Sequence, residues 1–397
     1  MKSASEILQS HEKFHITLGL ERISKILEIL DNPQNKYKVI HIAGTNGKGS
    51  TAKIINQLLI EAGYKTGLYT SPHIFEYEER ISVNNEKISS FVFNTLTQKI
   101  DEFAKSNNIE LSEFELLTAV AFYYFFVKQV DYVVLETGLG GLYDATNVIE
   151  NPESIAITSI DLDHTERLGK TIDEIALQKA GIIKKNSFVA VSKDNKGYDV
   201  IKKKIEEVKA KEATLPEVTV KYENQKNTAI INNNEYEFNL LGSHQAQNLA
   251  LALGAVNHLK LDDNVIKKAL KEVSWKYRLD YDSENQILID SAHNPAGIQT
   301  LRNFLDENFK DIKKTFFFGC LKNKDYKEML KILKKDNDDL YFIEFNHNNS
   351  LKYNELDKEF KALKYDFKSL DEIKNIEGIK IICGSIYMLG DILASDR

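Results

Sequence analysis

Val39-Ile40-His41-Ile42-Ala43-Gly44-Thr45-Asn46-Gly47-Lys48-Gly49-Ser50-Thr51 is the stretch whose reading decides the fold. Apolar residues at 39, 40, 42 and 43 predict a short buried strand. Ile55, Leu58, Leu59 and Ala62 then recur at helical spacing, with Gly63 as a C-terminal stop. Three glycines, one lysine and two hydroxyl residues lie between strand and helix. Glycine lets the backbone come close to an anion, and a helix N-terminus offers unpaired N–H groups and the positive end of a dipole. Lys48 is placed to set a point charge against terminal phosphates, and Ser50 or Thr51 to serve phosphate or magnesium. The spacing is not that of the usual phosphate loop: two residues separate Gly44 from Gly47, and Gly49 separates Lys48 from Ser50. The competing reading is an ordinary strand–helix turn whose glycines serve packing.

With 397 residues the chain has material for two domains, each with its own core. A composition of 42% hydrophobic and 28% charged residues with only 5 prolines is that of a soluble globular protein. The balance of 52 basic against 59 acidic residues, net −7, argues against a nucleic-acid binder. The longest apolar run, Leu116 to Val127, is too short to span a bilayer, so no membrane association is expected. Met1-Lys-Ser-Ala-Ser-Glu6 lacks the apolar stretch of a secretory leader. Cys320 and Cys383 stand far apart without a pairing motif, which fits a reducing cytoplasm.

Along the chain, residues 6–30 read as amphipathic helix broken at Thr17-Leu-Gly-Leu20. Lys65–Tyr69 reads as a strand entering Thr70-Ser-Pro-His73, and Glu76–Ile81, with Arg80, as a solvated loop. Ser112-Glu-Phe-Glu115 is a capping box opening the helix to Val127, so Glu115 has a structural use of its own. Tyr132–Leu135 is a buried strand ending in Glu136-Thr-Gly-Leu-Gly-Gly141, followed by Asp144-Ala-Thr-Asn147. An acid at a strand end beside a phosphate loop holds nucleotide magnesium, or else pairs with a surface lysine. Ser154–Ile160 leads to Asp161-Leu-Asp-His164, where His164 is either a metal or phosphate ligand or a hydrogen-bonded loop residue.

Thr171-Ile-Asp-Glu174 is a second capping box, and Lys179 falls on the apolar stripe of the helix it starts. There the sequence leaves two readings: a lysine snorkelling to the surface, or a desolvated amine neutral enough to take up CO2 as a carbamate. Val218–Lys221 and Tyr236–Leu240 read as strands of a peripheral hairpin around Asn232-Asn-Asn234, appended to the main sheet. Gly242-Ser-His-Gln245 opens a helix through His258 with Gln245 and Asn248 on one face. Beyond Lys276-Tyr-Arg278 the alternation restarts. Strands are expected at 287–289, 315–318, 340–345 and 379–382, with helices from 296, at 327–333 and around Glu355–Ala362. The expected division is residues 1–277 and 278–397. Asp290-Ser-Ala-His-Asn-Pro295 sits at the exit of the second domain's first strand.

Read in order, these stretches resemble one family: folylpolyglutamate synthase and the bifunctional dihydrofolate synthase, of the Mur-ligase superfamily. The matching residues are His41 to Ser50, Ser71-Pro-His73, Glu79-Arg-Ile81, Phe114-Glu115, Glu136 through Asn147, Asp163-His164, Lys179-Ala-Gly-Ile-Ile183, His244-Gln245 with Asn248, and Asp290 with Ala292-His-Asn-Pro295. The resemblance implies an α/β fold. An N-terminal P-loop ATPase domain with a mostly parallel sheet precedes a smaller, Rossmann-like C-terminal α/β ligase domain. It implies an ATP-dependent ligase, a monomer, that adds L-glutamate to a pterin or folate carboxylate through an acyl phosphate. Thr45, Asn46, Gly47, Lys48, Gly49 and Ser50 would cradle the ATP phosphates, and Asn248, Arg278, Asp290 and His293 would grip the nucleotide. Ser71, Glu136, His164 and Lys179, the last carbamylated, would hold two Mg2+ ions. Lys48, Lys179, His164 and Glu136 would carry the chemistry. Leu18, Gly19, Leu20, Phe114, Glu115 and Asp144 would form the pterin side.

Three positions depart from the family pattern. Leu142-Tyr143 follow Gly-Leu-Gly-Gly where an arginine is usual, Trp275-Lys-Tyr-Arg278 replaces Trp-Pro-Gly-Arg, and Ser291 replaces the glycine of Asp-Gly-Ala-His. Two rival readings remain. Another Mur-type amino-acid ligase would act on cell-wall nucleotide precursors, and an ATP-dependent switch would hydrolyse without synthesis.

Overall fold

Eight strands, β1 (Lys38–Ala43), β2 (Thr66–Tyr69), β3 (Ile81–Val83), β4 (Glu86–Lys87), β5 (Tyr132–Glu136), β6 (Ser154–Ile157), β7 (Phe188–Val191) and β8 (Lys211–Glu212), form one sheet in the order β4-β3-β2-β5-β1-β6-β7-β8. This is a computed structural model, and it describes residues 2–11, 19–223 and 226–394. All neighbours run parallel except the β2–β3 and β3–β4 pairs at one edge. Apart from the exposed Lys38 that starts β1, the strands β1, β5 and β6 are buried on both faces, which is why they read as largely apolar runs instead of alternating ones. One core gathers residues of the helices Ala4–His11, Glu21–Ile29, Ser90–Ser106 and Glu113–Val127, and another those of Ile172–Ala180 and Tyr198–Val208. Both predicted capping boxes form with each half present, Ser112 with Glu115 and Thr171 with Glu174.

Because β1 lies between β5 and β6 in parallel register, their carboxyl ends reach the same edge of the sheet. The loop after β1, Glu136 at the end of β5 and the turn after β6 therefore share that edge, which is where open α/β sheets bind ligands.

The strands β9 (Val218–Glu223), β10 (Lys226–Ile231) and β11 (Asn234–Glu237) form a separate three-stranded sheet, order β11-β10-β9. This corrects the expected appendage to the main sheet. The tight turn falls at Asn232 and Asn233, both left-handed, a conformation asparagine tolerates. The expected strand Tyr236–Leu240 also shifts: β11 ends at Glu237, and beyond it the chain is held by Asn227, whose amide donates to the carbonyls of Phe238 and Leu240. Alternate burial of Tyr236, Phe238 and Leu240 imitates a longer strand.

The second large sheet is built from β12 (Asp280–Asp282), β13 (Ile287–Ile289), β14 (Lys314–Phe318), β15 (Asp339–Ile343), β16 (Leu363–Tyr365) and β17 (Ile379–Cys383). Their order is β12-β13-β17-β14-β15-β16, parallel apart from β12. The expected helix around Glu355–Ala362 is absent. Two short 3-10 turns, Tyr353–Glu355 and Lys358–Phe360, stand there instead. Leu356 and Phe360 are both buried four residues apart, which mimics a helical face, but Lys361 turns left-handed and ends the path. By packing, the chain falls into two units: Met1–Val218 with Ile231–Tyr236 and Ala246–Val273, and Thr219–Ile230 with Glu237–Gln245 and Ser274–Arg397.

Within the second unit Tyr277 has φ of 62° and Leu279 of 47°. Tyr277 stands where the resembled family has glycine, so this chain places a β-carbon in a conformation that costs an L-residue about 1–2 kcal/mol. Tyr277→Gly is expected to be at least as stable as the parent in urea melts, relief of strain offsetting the extra freedom of glycine in the unfolded chain. Tyr277→Val, β-branched, should lose on the order of 1 kcal/mol or more. A Tyr277→Gly protein weaker by more than about 1 kcal/mol would show that contacts of the tyrosine ring outweigh the backbone strain.

Candidate active site

The loop after β1 is stapled to the turn after β6. Thr45 N–H donates to Ser159 O (2.7 Å), Asn46 N–H to Ser159 Oγ (3.2 Å), and the Thr45 hydroxyl meets the backbone of Asp161. Glycine is required at two points. A β-carbon on Gly44 (φ 153°) would lie 1.7 Å from Thr158 Oγ1, and one on Gly47 (φ 88°) 2.3 Å from Asn248 Oδ1. The helix Lys48–Glu61 begins directly after Gly47, so its first N–H groups open onto the loop. Asn248 Oδ1 also accepts from the Thr51 hydroxyl, at 3.4 Å, which places Asn248 against the loop.

Two lysines converge on this loop. Lys48 Nζ donates to the carbonyls of Gly44 (3.2 Å) and Thr45 (3.3 Å) and lies 3.9 Å from Glu136 Oε1. Lys179 is 4% exposed, and its Nζ donates to the same Gly44 carbonyl at 2.6 Å. Snorkelling is thereby excluded. Burial, then the neighbouring Lys48 charge, pushes the Lys179 amine down to about 7, with Asp163 and Asp144 acting in the opposite direction. Glu136, also buried, accepts the Ser71 N–H at 3.2 Å through Oε2. Loop, Lys48, Lys179, Glu136 and the Ser71 turn are thus joined by direct contacts.

His164 is less tightly tied. It is left-handed at φ 50°, its side chain is 39% exposed, and its ring nitrogens lie 3.9 Å from Asp163 and Glu166. Among the described residues no three His, Cys, Asp or Glu side chains form a group able to hold a metal by themselves. The expected set is one carboxylate with a serine, a histidine and a lysine. Of that set Glu136 and Ser71 offer oxygens as they stand, which suits magnesium, since it takes few protein oxygens and completes its shell with substrate phosphates and water. The buried Glu136 carboxylate at the strand end fits that use.

In the second unit Asp290 stands one residue beyond β13 and is buried. Its carboxylate accepts the N–H groups of Leu279 (2.7 Å) and Ala292 (2.8 Å). Burial raises its pKa, opposed first by Arg278. His293 Nδ1–H donates to Ser291 O, and Asn294 caps the Pro295–Asn308 helix. Burial and then Arg278 lower His244 to about 4, which keeps it neutral at pH 7. Arg278 therefore acts electrostatically on both Asp290 and His244, and Ser291 N–H donates nearby to Tyr277 O.

Of the residues expected on the pterin side, Leu18 lies outside the described residues. Gly19 and Leu20 precede the Glu21–Ile29 helix. Phe114 lies on the glycine-rich turn, where its ring leaves no room for a β-carbon on Gly138. Glu115 is spent on its own helix and on Arg22: Oε2 accepts Ser112 N–H (2.7 Å) and Arg22 Nε (3.1 Å), while Oε1 faces Arg22 NH2 at 3.1 Å. Asp144, buried, accepts Leu139 N–H and both the N–H and hydroxyl of Thr146. Both carboxylates hold loops in place.

Sequence reasoning missed the continuation of that last network. The Thr146 hydroxyl gives its proton to Asp144, so His41 Nε2–H must donate to Thr146 Oγ1, at 2.8 Å. His41 sits wholly buried in β1, with its pKa lowered to about 3 by burial and then Lys184. The sequence signals were a histidine inside an apolar strand and its place at the start of the matching stretch His41 to Ser50.

Comparison with known proteins places this geometry in a family. Residues 42–256 match the Mur ligase middle domain, and residues 274–355 match the dihydrofolate synthetase C-terminal domain. The dihydrofolate synthase/folylpolyglutamate synthase of Bacillus subtilis (strain 168) is 33% identical over 416 residues, 96% of this chain and 95% of that protein. The folylpolyglutamate synthase of Mycobacterium tuberculosis, solved with ADP and AMPPCP, superposes with a TM-score of 0.87 at 27% identity, over 98% of this chain and 97% of that one. The bifunctional enzyme of Yersinia pestis, solved with AMPPNP and a manganese ion, does so with a TM-score of 0.85 at 26% identity, over 100% and 98%. The chain belongs to the dihydrofolate synthase/folylpolyglutamate synthase family of Mur ligases.

Proposed function

We propose that this chain joins L-glutamate to the carboxylate of a pterin substrate, dihydropteroate or a reduced folate, with ATP as the activating substrate. The observation that carries the reading is the convergence of Lys48 and Lys179 on the Gly44 carbonyl beside the buried Glu136. A carboxylate is a poor acyl donor. Its oxygen attacks the γ-phosphorus of ATP, ADP leaves, and an acyl phosphate results. The glutamate amine then attacks the acyl carbon, loses a proton, and phosphate departs.

In this reading Thr45 to Ser50 and Asn248 hold the nucleotide phosphates, with Lys48 against the phosphorus that is transferred. Arg278, Asp290 and His293 are read as nucleotide-binding residues of the second unit. Ser71, Glu136, His164 and a carbamylated Lys179 are assigned to two magnesium ions, which when bound neutralise charge on the phosphates. A Lys179 amine lowered to about 7 supplies the neutral form that a carbamate needs, whereas an unperturbed lysine titrates near 10.4. The carbamate would replace one of two neighbouring cations by an anion. Gly19, Leu20 and Phe114, with Leu18, are assigned to the pterin. Glu115 and Asp144 serve the pterin side by holding its loops. The free thiols Cys320 and Cys383 fit a reducing, cytoplasmic setting, and no described helix is long and apolar enough to cross a membrane. We read the protein as a monomer acting on small molecules.

Lys48→Ala removes the charge nearest the transferring phosphate and leaves Gly44 and Gly47 to shape the loop. Glutamate-dependent phosphate release should fall on the order of 10³-fold or more, with little change in melting temperature. Near-normal turnover would reduce the loop to a structural turn. The same assay in the absence of glutamate distinguishes synthesis from a switch that merely hydrolyses ATP.

For Lys179 the expected outcome is loss of nearly all ligation in Lys179→Ala, partly restored by short-chain carboxylic acids that fill the vacated space as substitute ligands. Electron density on a magnesium- and nucleotide-bound crystal should show three extra atoms on the wild-type amine. An unmodified amine in such a crystal, or a fully active alanine variant, would remove the carbamate from the mechanism.

A further inference from the structure

The segment between β2 and β3 reads in sequence as a solvated loop, yet it is built around one arginine. Thr70 N–H donates to Arg80 O, so Arg80 lies next to the start of the Ser71-Pro-His73 turn. Ser71 N–H in turn donates to Glu136. Glu79, the acid adjacent to Arg80, is wholly occupied: its carboxylate accepts the N–H groups of Ile74 (2.9 Å), Phe75 (2.9 Å) and Glu76 (3.0 Å). Glu76 is paired with Lys87. Arg80 Nε–H donates to His73 Nδ1 at 2.9 Å, and its guanidinium lies over the Tyr77 ring, against which the His73 ring also packs.

Two consequences follow from this geometry. Among the described residues no carboxylate lies within ion-pair distance of the half-buried Arg80, so none of them supplies a counter-ion to its two terminal amino groups. Because His73 Nδ1 accepts a hydrogen bond, a neutral imidazole there carries its proton on Nε2. A planar guanidinium fork and an imidazole N–H thus stand together, held from behind by Tyr77 and by the Glu79-capped backbone. Such a fork matches a carboxylate in two parallel hydrogen bonds.

Position decides which anion. Arg80 directly precedes β3, and the sheet order β3-β2-β5-β1 puts it three strands, roughly 14 Å, from the phosphate loop, with Glu136 between them. The nucleotide phosphates are therefore claimed elsewhere. The ligase reading leaves two further substrates, the one that takes the γ-phosphate and the one that attacks the resulting acyl phosphate, and both carry carboxylates. We infer that Arg80, oriented by His73, binds a substrate carboxylate, a role that rests on the ligase reading above. The carboxylate is either the pterin acid about to be phosphorylated or a carboxylate of the incoming glutamate.

The test uses the full chain and its Arg80→Gln and Arg80→Lys variants. KM is measured for ATP, pterin substrate and glutamate, and positional isotope exchange of labelled ATP is followed without glutamate as a report on acyl phosphate formation. Arg80→Gln should raise the KM of one carboxylate substrate at least about tenfold and leave the KM of ATP unchanged, as loss of a charge-assisted contact implies. Suppressed isotope exchange together with a raised pterin KM assigns the acceptor carboxylate. Intact exchange with a raised glutamate KM assigns the incoming one. Arg80→Lys, which keeps charge without the fork, should fall between, and it decides the matter if Arg80→Gln does not fold. A ligating wild type whose variants keep all three KM values, with only the melting temperature lowered, overturns this inference alone and makes Arg80 a loop staple. A wild-type chain that binds neither carboxylate substrate overturns this inference and the ligase reading together.

Discussion

The carbonyl oxygen of Gly44 receives the ammonium ends of two lysines that lie far apart in the chain, Lys48 and Lys179. Two cations at one buried acceptor repel each other, and burial strips both of water. The arrangement persists because the surroundings supply partial compensation: Glu136 beside Lys48, and Asp163 and Asp144 within electrostatic reach of Lys179. Much of the first unit serves to keep these groups in place. Gly44 must come against Thr158, Gly47 against Asn248, and the strand ends of β1, β5 and β6 must stay level. A spot that is electrostatically uncomfortable by itself is well suited to a polyanion, which would relieve the repulsion rather than add to it.

Around this centre the carboxylates divide by what they touch. Glu136 is buried at a strand end, where it accepts the Ser71 N–H and lies 3.9 Å from Lys48. Asp144 and Glu79 each accept two or more hydrogen bonds from their own loops, and Glu115 one from its cap and one from Arg22 of another helix. An ionised carboxylate fully engaged by backbone N–H groups orders that backbone and has little capacity left for a ligand. The helix start carrying Phe114, the turn after Gly138 and the segment from Ile74 to Glu76 are thereby held in place. The Asp144–Thr146–His41 chain extends the same support into β1, directly beneath the phosphate loop.

Much of the site was legible in the sequence because its signals are local. A strand, a glycine turn, a lysine and a helix occur within fourteen residues or so of one another, and capping boxes declare themselves over four residues. Errors arose where a local pattern had more than one physical cause. Leu356 and Phe360, four apart and both buried, imitate a helix although each belongs to a separate turn region. Phe238 and Leu240 alternate like a strand while a side-chain amide from Asn227 holds their carbonyls.

The sequence by itself determined the α/β alternation, the phosphate loop, the candidate acids at strand ends and, through ordered motifs, the family. What it left undecided was the state of single residues whose surroundings come from distant segments. Lys179 could face water or the core on its stripe, and only packing against the β1 loop brought it to Gly44, 135 residues away in sequence. Arg80 could belong to a solvated loop, and only the contacts of Thr70, His73 and Glu79 showed a guanidinium held in place with no acid partner among the described residues. The physical reason is the same in both cases. Periodicity reports which face of an element is apolar, whereas burial, charge neighbours and spent hydrogen bonds are properties of a three-dimensional neighbourhood.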